Sequence, residues 1–224
     1  MNMKYNFIAI EGNIGAGKTT LSKKISHDLN AQLILESFED NPFLKKFYND
    51  PRSQALPLEL FFMAERHQQL KKYSKINLFT NTIVSDYFFV KSRLFAKNNL
   101  IEQELALFNR LFEVMMSTVI KPDLIIYLHA DTISLKQNII KRGRKYEQNI
   151  SQEYLKGIEL VYLDYLKKEQ NIPILLVDVS NVDFLNDNKA YNSLKNLLNE
   201  SHSKGINYCA LSNPMTQAPS NKLL

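Results

Sequence analysis

The residues Gly12-Asn13-Ile14-Gly15-Ala16-Gly17-Lys18-Thr19 carry the densest chemical signal in the chain. Glycines at the first, fourth and sixth positions let the backbone curl so that successive N–H groups point inward, where they bind phosphate oxygens. A helix starting at the end of the loop adds its partly positive N-terminus. The lysine and the hydroxyl complete the pattern G-x4-G-K-[ST]. Lys18 reaches the β and γ phosphates of a nucleoside triphosphate and the Thr19 hydroxyl ligates Mg2+, with Thr20 following on the helix. The loop leaves the reaction open, because GTPases, motor ATPases and small-molecule kinases all use it. A guanine-reading N-K-x-D box is missing: Asn188-Lys189 runs on into Ala190-Tyr191, which argues against a switch GTPase.

Two acids stand where a reaction would need them. Glu36 follows one apolar segment and Asp86 another, as the glycine-rich loop follows a third. If these segments are neighbouring parallel strands, all three ends meet in one crevice. Glu36 is then suited to take the proton of an attacking hydroxyl, and Asp86 to hold Mg2+ directly or through water. Either acid would equally serve to cap the helix after it. Farther on, Lys141-Arg142-Gly143-Arg144-Lys145 places arginines at a glycine hinge. That suits a lid over residues 141–148 that neutralises a transferring phosphoryl group and excludes water, the alternative being a solvated basic turn.

These groups need a frame. Five short apolar or β-branched segments, Tyr5–Ile10, Gln32–Leu35, Thr82–Ser85, Leu124–Leu128 and Ile174–Val177, read as buried strands. Between them lie stretches with helical spacing, such as Leu21, Ile25, Leu29 and the run Leu105, Phe108, Leu111, Phe112, Met115, Met116, Val119. The alternation predicts an α/β fold, a five-stranded parallel sheet with helices on both faces. Pro51 and Pro57 are expected to break the long stretch from Pro42 near the start of a helix carrying Leu60, Phe61, Met63, Ala64 and Leu70, on which Glu59, Glu65 and Arg66 face solvent or a cleft. A last helix is expected over Asn188–Asn199. One domain over residues 1–200 and a mobile polar tail over Ser201–Leu224 complete the reading.

Composition narrows the function classes. With 45% apolar and 23% charged residues in 224, the chain has an ordinary globular make-up. A lone cysteine, Cys209, excludes internal disulfides and multi-cysteine metal sites, and four scattered histidines build no metal cluster. No apolar run reaches the roughly 18 to 20 residues of a membrane span, and MNMKYNFIAIEG lacks the features of a signal peptide, so a cytoplasmic protein without membrane contact is expected. A net charge of +5, not gathered into one run, fits small phosphorylated ligands better than a nucleic-acid polymer.

Three separated motifs in order resemble the deoxynucleoside kinase family over roughly residues 5–185. They are Glu11-Gly12-Asn13-Ile14 leading into Gly17-Lys18-Thr19-Thr20; Glu36 followed by Asn41-Pro42-Phe43-Leu44; and Arg142-Gly143-Arg144 with Glu147-Gln148 and Tyr154-Leu155. The resemblance implies transfer of the ATP γ-phosphoryl, with Mg2+ held by Thr19 and Asp86, to the 5′-hydroxyl of a deoxynucleoside, and a homodimer. It makes Glu36 the base toward that hydroxyl, places Tyr48 and Glu147 at the sugar 3′-hydroxyl, and sets Arg142 and Arg144 on the phosphates. It also implies Arg66 near the nucleobase and a loop around Asp183 and Phe184 against the adenine of ATP. A nucleoside monophosphate kinase of the thymidylate type, or a nucleotide-binding regulatory protein without turnover, are the alternatives.

Two positions depart from the family pattern. Where Glu-Arg-Ser is common after the third strand, this chain has Ser85-Asp86-Tyr87, leaving Lys91 or Arg93 to supply the missing cation. Where a glutamine often reads the base, it has Glu59, a carboxylate that accepts but does not donate when ionised. That favours adenine, guanine or cytosine over thymine, unless Arg66 pairs with Glu59 instead. Phe38, Phe61, Phe62, Phe88, Phe89 and Phe95 are candidates for the base pocket, of which one or two are expected to touch substrate and the rest to be core.

Overall fold

In β1 (Phe7–Gly12) every residue is buried, and its side chains alternate between two cores: Ile8 and Ile10 pack to one side, Phe7 and Ala9 to the other. The same alternation runs through β4 (Leu124–His129) and β5 (Pro173–Asp178). Strands apolar on both faces need helices on both faces, which is why they read as continuous apolar runs. The computed structural model describes residues 4–37, 41–73, 82–180, 182–184 and 186–211, and within these the chain is a three-layer α/β sandwich. The sheet order is β2-β3-β1-β4-β5-β6, with every pairing parallel.

One layer is made by α1 (Lys18–Leu29), α6 (Thr132–Arg142) and α8 (Asn188–Leu197), through Leu21, Ile25, Leu135, Ile139, Tyr191 and Leu194. The other is made by α3 (Pro51–Tyr73), α4 (Lys91–Asn99), α5 (Glu102–Met116) and α7 (Gln152–Lys168), through Met63, Leu94, Phe108, Phe112 and Tyr162. The short α2 (Leu44–Asn49) and the start of α3 close a small third cluster around Phe47, Leu58 and Phe62. The short strand β3 (Ile83–Ser85) lies next to β1 and β2 (Gln32–Ile34) lies next to β3, so the ends that carry Glu36, Asp86 and the glycine-rich loop follow one another along the sheet.

Three expectations are corrected. The sheet has six strands among the described residues, not five: β6 (Gly205–Cys209) pairs parallel with β5 inside the segment read as a mobile tail. Its apolar content is only Ile206, Tyr208 and Cys209, yet Ile206 packs on one core and Cys209 on the other, which suffices at a sheet edge. Pro214 and Pro219 of that tail lie outside the described residues. Pro57 does not interrupt α3, which runs unbroken from Pro51. Pro51 opens the helix, where a missing N–H costs nothing, and Pro57, nearly two turns on, forfeits a single bond that the packing of the helix offsets. The final helix ends at Leu197.

Candidate active site

Local sequence dictates the loop after β1. A Cβ at Gly12 would come within 2.6 Å of the Leu128 carbonyl on β4, and Gly17 sits at φ 88°, so both positions require glycine. Asn13 is buried with its side chain committed to the protein: Nδ2 donates to the Leu155 carbonyl on α7 at 2.7 Å and Oδ1 accepts the Ile14 amide at 2.8 Å. Ala16 is buried and its amide donates to the Asn13 carbonyl at 3.2 Å. Asn138 of α6 donates to the Gly15 carbonyl at 2.9 Å. Lys18 Nζ donates to the carbonyls of Gly12 and Asn13 at 3.0 and 2.8 Å. Burial, reinforced by Lys91, pushes its pKa down to about 8 against the pull of Glu11, Glu36 and Asp86.

The three neighbouring strand ends are laced together through Asp86. Its Oδ2 accepts the Thr19 hydroxyl at 2.5 Å and its Oδ1 accepts the Glu36 amide at 2.8 Å. Neither acid caps a helix, since α2 and α4 begin after Phe43 and Val90 without a side-chain cap. Glu36 meets two cations instead. Arg66 of α3, 3% exposed, donates Nε and Nη2 to Oε1 at 2.8 and 2.5 Å, and Lys91 of α4 donates Nζ to Oε2 at 2.7 Å. Burial favours the protonated acid, but Lys91 and Arg66 outweigh it and hold Glu36 far below the usual carboxylate range. Of the two candidate cations, Lys91 is therefore the one in the crevice, and its partner is Glu36, not Asp86. Arg93 points away to a surface pair with Glu113 at 2.7 Å.

The segment over 141–148 is two turns hinged at a glycine. Asp131 caps α6 through the Ser134 amide, and the helix ends at Gly143, whose φ of 76° reverses the chain. A 3-10 turn, Lys145–Glu147, follows, and Ser151 caps α7. Both arginines converge on Glu147, itself buried: Arg142 Nη2 donates to Oε2, and Arg144 Nη1 to Oε1 at 3.1 Å. Tyr48 stacks on Tyr146 at 5.9 Å, and burial raises its phenol well above the ordinary value.

These groups line one cavity. Lys18, Thr19, Asp86, Arg142 and Arg144 form its charged end. Leu58, Glu59, Phe62, Phe95 and Tyr154 form an aromatic end, and Glu36, Arg66 and Lys91 lie between. Of the phenylalanine candidates, Phe62 and Phe95 line the cavity. Phe88 and Phe89 are core, Phe61 packs edge-on against Phe43, and Phe38 lies outside the described residues. Glu59 and Arg66 face the cavity but do not pair, because Arg66 is taken by Glu36. Asp183 and Phe184 are not part of its lining: the Phe184 ring is core near α1 and α8, and its carbonyl accepts Lys24 Nζ at 2.6 Å.

The profile of the deoxynucleoside kinase family matches residues 8–202. The chain belongs to the deoxynucleoside kinase family. It is 35% identical over 184 residues to the deoxyguanosine kinase of Bacillus subtilis (strain 168), covering 80% of this chain and 89% of that protein. It is 28% identical over 202 residues to the deoxyadenosine/deoxycytidine kinase of the same organism, covering 88% and 92%. The solved structure of deoxyadenosine kinase from M. mycoides with bound dATP superposes with a TM-score of 0.73 at 27% identity, covering 89% of this chain and all of that one. The same enzyme with dCMP and a flexible dCDP as products gives 0.75 at 26% identity, covering 86% and 98%.

As a deoxynucleoside kinase, an ATP-dependent phosphotransferase, the molecule gives roles at or beneath the site to residues whose sequence context assigned them none. Glu11 is fully buried at the end of β1, where Oε1 accepts the Phe88 amide at 2.9 Å and Oε2 the Tyr162 hydroxyl at 2.8 Å. It fixes the turn from which Lys91 projects, and burial raises its pKa against Lys91 and Lys18. An acid inside the apolar run of β1 was the available signal. Phe47 and Leu58 also line the cavity, and only their apolar character marked them. No group of three or more metal-ligating side chains, and no helix long and apolar enough to cross a membrane, occurs among the described residues.

Proposed function

We propose that this kinase moves the γ-phosphoryl of ATP onto the 5′-hydroxyl of a deoxynucleoside, with the triphosphate at the charged end of the cavity and the nucleobase at the aromatic end. The observation that carries this is Glu36. A carboxylate held ionised by Arg66 and Lys91 stands between the two ends, where a hydroxyl would face a phosphate. With so low a proton affinity, Glu36 accepts a hydrogen bond from the hydroxyl and orients it, and takes the proton as the new O–P bond forms. The backbone amides of the glycine-rich loop other than those of Ile14 and Ala16, with Lys18 and the two lid arginines, neutralise the charge on the transferring group. Arg142 and Arg144 turn from Glu147 to the phosphates, and Glu147 with the protonated Tyr48 phenol is left for the sugar 3′-hydroxyl. The loop at Asp183 meets adenine through backbone, since the Phe184 ring is committed to the core.

Hard oxygen donors suit Mg2+, and Thr19 with Asp86 supplies a hydroxyl and a carboxylate 2.5 Å apart, with no lysine or arginine among the described residues in ion-pair contact with Asp86. Bound there, the cation would screen the phosphate oxygens. A homodimer is supported by α5, which presents Leu107, Leu111 and Val114 as one exposed apolar stripe. ATP as donor makes the cytoplasm the fitting compartment.

The test is ADP release with Mg-ATP against deoxynucleosides, ribonucleosides and nucleoside monophosphates. Turnover with at least one deoxynucleoside is expected. Turnover with monophosphates alone, or none with any acceptor, would overturn the reading.

A further inference from the structure

The aromatic end of the cavity holds one carboxyl with an open acceptor. Glu59 precedes Phe62 by three residues and Arg66 by seven, so the three share one stripe of α3. Glu59 is 1% exposed. Asn99, at the end of α4, donates Nδ2 to its Oε1 at 2.7 Å and is itself held by Asn98, whose Nδ2 donates to the Asn99 Oδ1 at 2.9 Å. Oε2 is buried with no hydrogen-bond partner. The charged and titratable groups around it are Arg66 on its own helix, Lys91 on α4, Glu36 after β2 and the Tyr154 phenol on α7. Both cations are already committed: Arg66 gives Nε and Nη2 to Glu36 and Nη1 to Ser92, and Lys91 gives Nζ to Glu36. A buried acceptor without a donor is costly, and a ligand bringing N–H groups relieves it.

Resting on the deoxynucleoside reading above, the geometry points to Glu59 as the side chain that selects the base: as a carboxylate it takes guanine through N1–H and N2–H, and as a neutral acid it also takes adenine and cytosine, so base preference follows its protonation. Guanine offers two adjacent donors that match two carboxylate oxygens. Adenine sets an N6–H beside the N1 lone pair, and cytosine an N4–H beside the N3 lone pair. Against a carboxylate that lone pair meets an oxygen and repels it. Against a carboxylic acid it accepts the O–H, and the pair becomes complementary. Burial pushes the Glu59 pKa up to about 7, with Arg66 the main counterweight, so both forms are populated near neutral pH. Raising the pH through that value gains the form that guanine needs and loses the one that adenine needs.

The experiment is the ratio of kcat/KM for deoxyguanosine to that for deoxyadenosine, measured in competition at saturating Mg-ATP from about pH 6 to about pH 8. It is run on the full chain and on Glu59→Gln. The ratio is expected to rise by up to about a hundredfold across the window in the unmodified protein, about tenfold from the carboxylate gained and about tenfold from the acid lost, and to stay flat in the variant, whose amide has one donor and one acceptor at every pH. Lys18 also titrates near this range, but it acts on the phosphate common to both acceptors and cancels in the ratio. A flat ratio in the unmodified protein overturns the inference, and that series needs no variant to fold. A rise that survives in Glu59→Gln overturns it equally. If no deoxynucleoside is phosphorylated, the functional reading underneath has failed. Phosphorylation with a flat ratio sinks the base-selection inference alone.

Discussion

Glu36 and Glu59 line the same cavity, and the protein treats them in opposite ways. Glu36 is crowded by Arg66 and Lys91 and held ionised far below the usual range. Glu59 has a single asparagine, and its pKa is pushed up to about 7. Burial urges both toward the neutral acid, so partners decide the difference. Arg66 lies on the same helical stripe as Glu59, yet its three nitrogens reach Glu36 and Ser92. A site that must orient a hydroxyl needs a fixed charge, whereas one that must read a base edge can use a proton that comes and goes.

The sharpest way to break this comparison is to make the same substitution at both positions. Glu36→Gln removes the acceptor for the attacking hydroxyl and is expected to lower kcat by on the order of a hundredfold to ten-thousandfold, with the KM for ATP little changed. It also leaves Arg66 and Lys91 without their anion, so the melting temperature should fall at neutral pH by the equivalent of about 3 kcal/mol. Equal losses in kcat and in ATP affinity would overturn the assignment.

Lys91 tests whether partners set the charge on Glu36. In Lys91→Met one of the two cations is lost and Glu36 moves back toward the ordinary carboxyl range. Its depressed pKa makes the ionised form safe down to low pH, so the acidic limb of the pH–rate profile should move to higher pH, with kcat down about tenfold. Lys91→Arg should restore both. A limb that does not move in Lys91→Met would show that Lys91 only packs.

Glu59→Gln should then have the opposite effect on stability. Its folded-state pKa lies above the unfolded carboxyl value of 4.5, so the folded protein binds the extra proton between about pH 4.5 and about 7, and stability is lost as pH rises through that window. The amide never ionises and still accepts from Asn99. The variant is therefore expected to match the parent near pH 4.5 and to exceed it at pH 8 by about 2 to 3 kcal/mol. Chemical denaturation at the two pH values measures this, and a variant less stable than the parent at pH 8 would contradict it.

How much of this was legible in the sequence depends on how local the cause was. The loop at 12–19, the five apolar strands and the two acids after β2 and β3 could be read because each signal lies within a few residues of what it controls. The pairing of Glu36 with Arg66 and Lys91 could not, since these cations come from two different helices packed on the sheet. The role of Glu11, present in the loop motif, was hidden for the same reason: its partners, Phe88 and Tyr162, lie 77 and 151 residues away. The edge strand at Gly205–Cys209 was missed because an edge needs little apolar periodicity, and Pro57 was overread because the packing of α3 through Leu58, Phe62 and Met63 outweighs the one hydrogen bond the proline removes.

The choice between Lys91 and Arg93 shows the same limit at its smallest scale. Two residues apart on α4, they are turned by about 200° relative to each other, so only one can face the sheet. Spacing alone did not say which. The turn fixed by Glu11 starts the helix at Lys91 and aims that side chain inward, where it is 3% exposed. Arg93 is left outside with Glu113, at side-chain exposures of 38% and 65%. An ion pair so open to water contributes at most about 0.5 kcal/mol. Arg93 also covers the ring of Phe112, with its guanidinium carbon 4.6 Å from the ring centre, so its removal is felt slightly through packing. Arg93→Ala is therefore expected to shift stability by no more than about 1 kcal/mol and to leave kcat and its pH profile unchanged. If its acidic limb moved as that of Lys91→Met should, the field at Glu36 would be set by total charge on the helix and not by contact, and the contrast between the two glutamates would lose its cause.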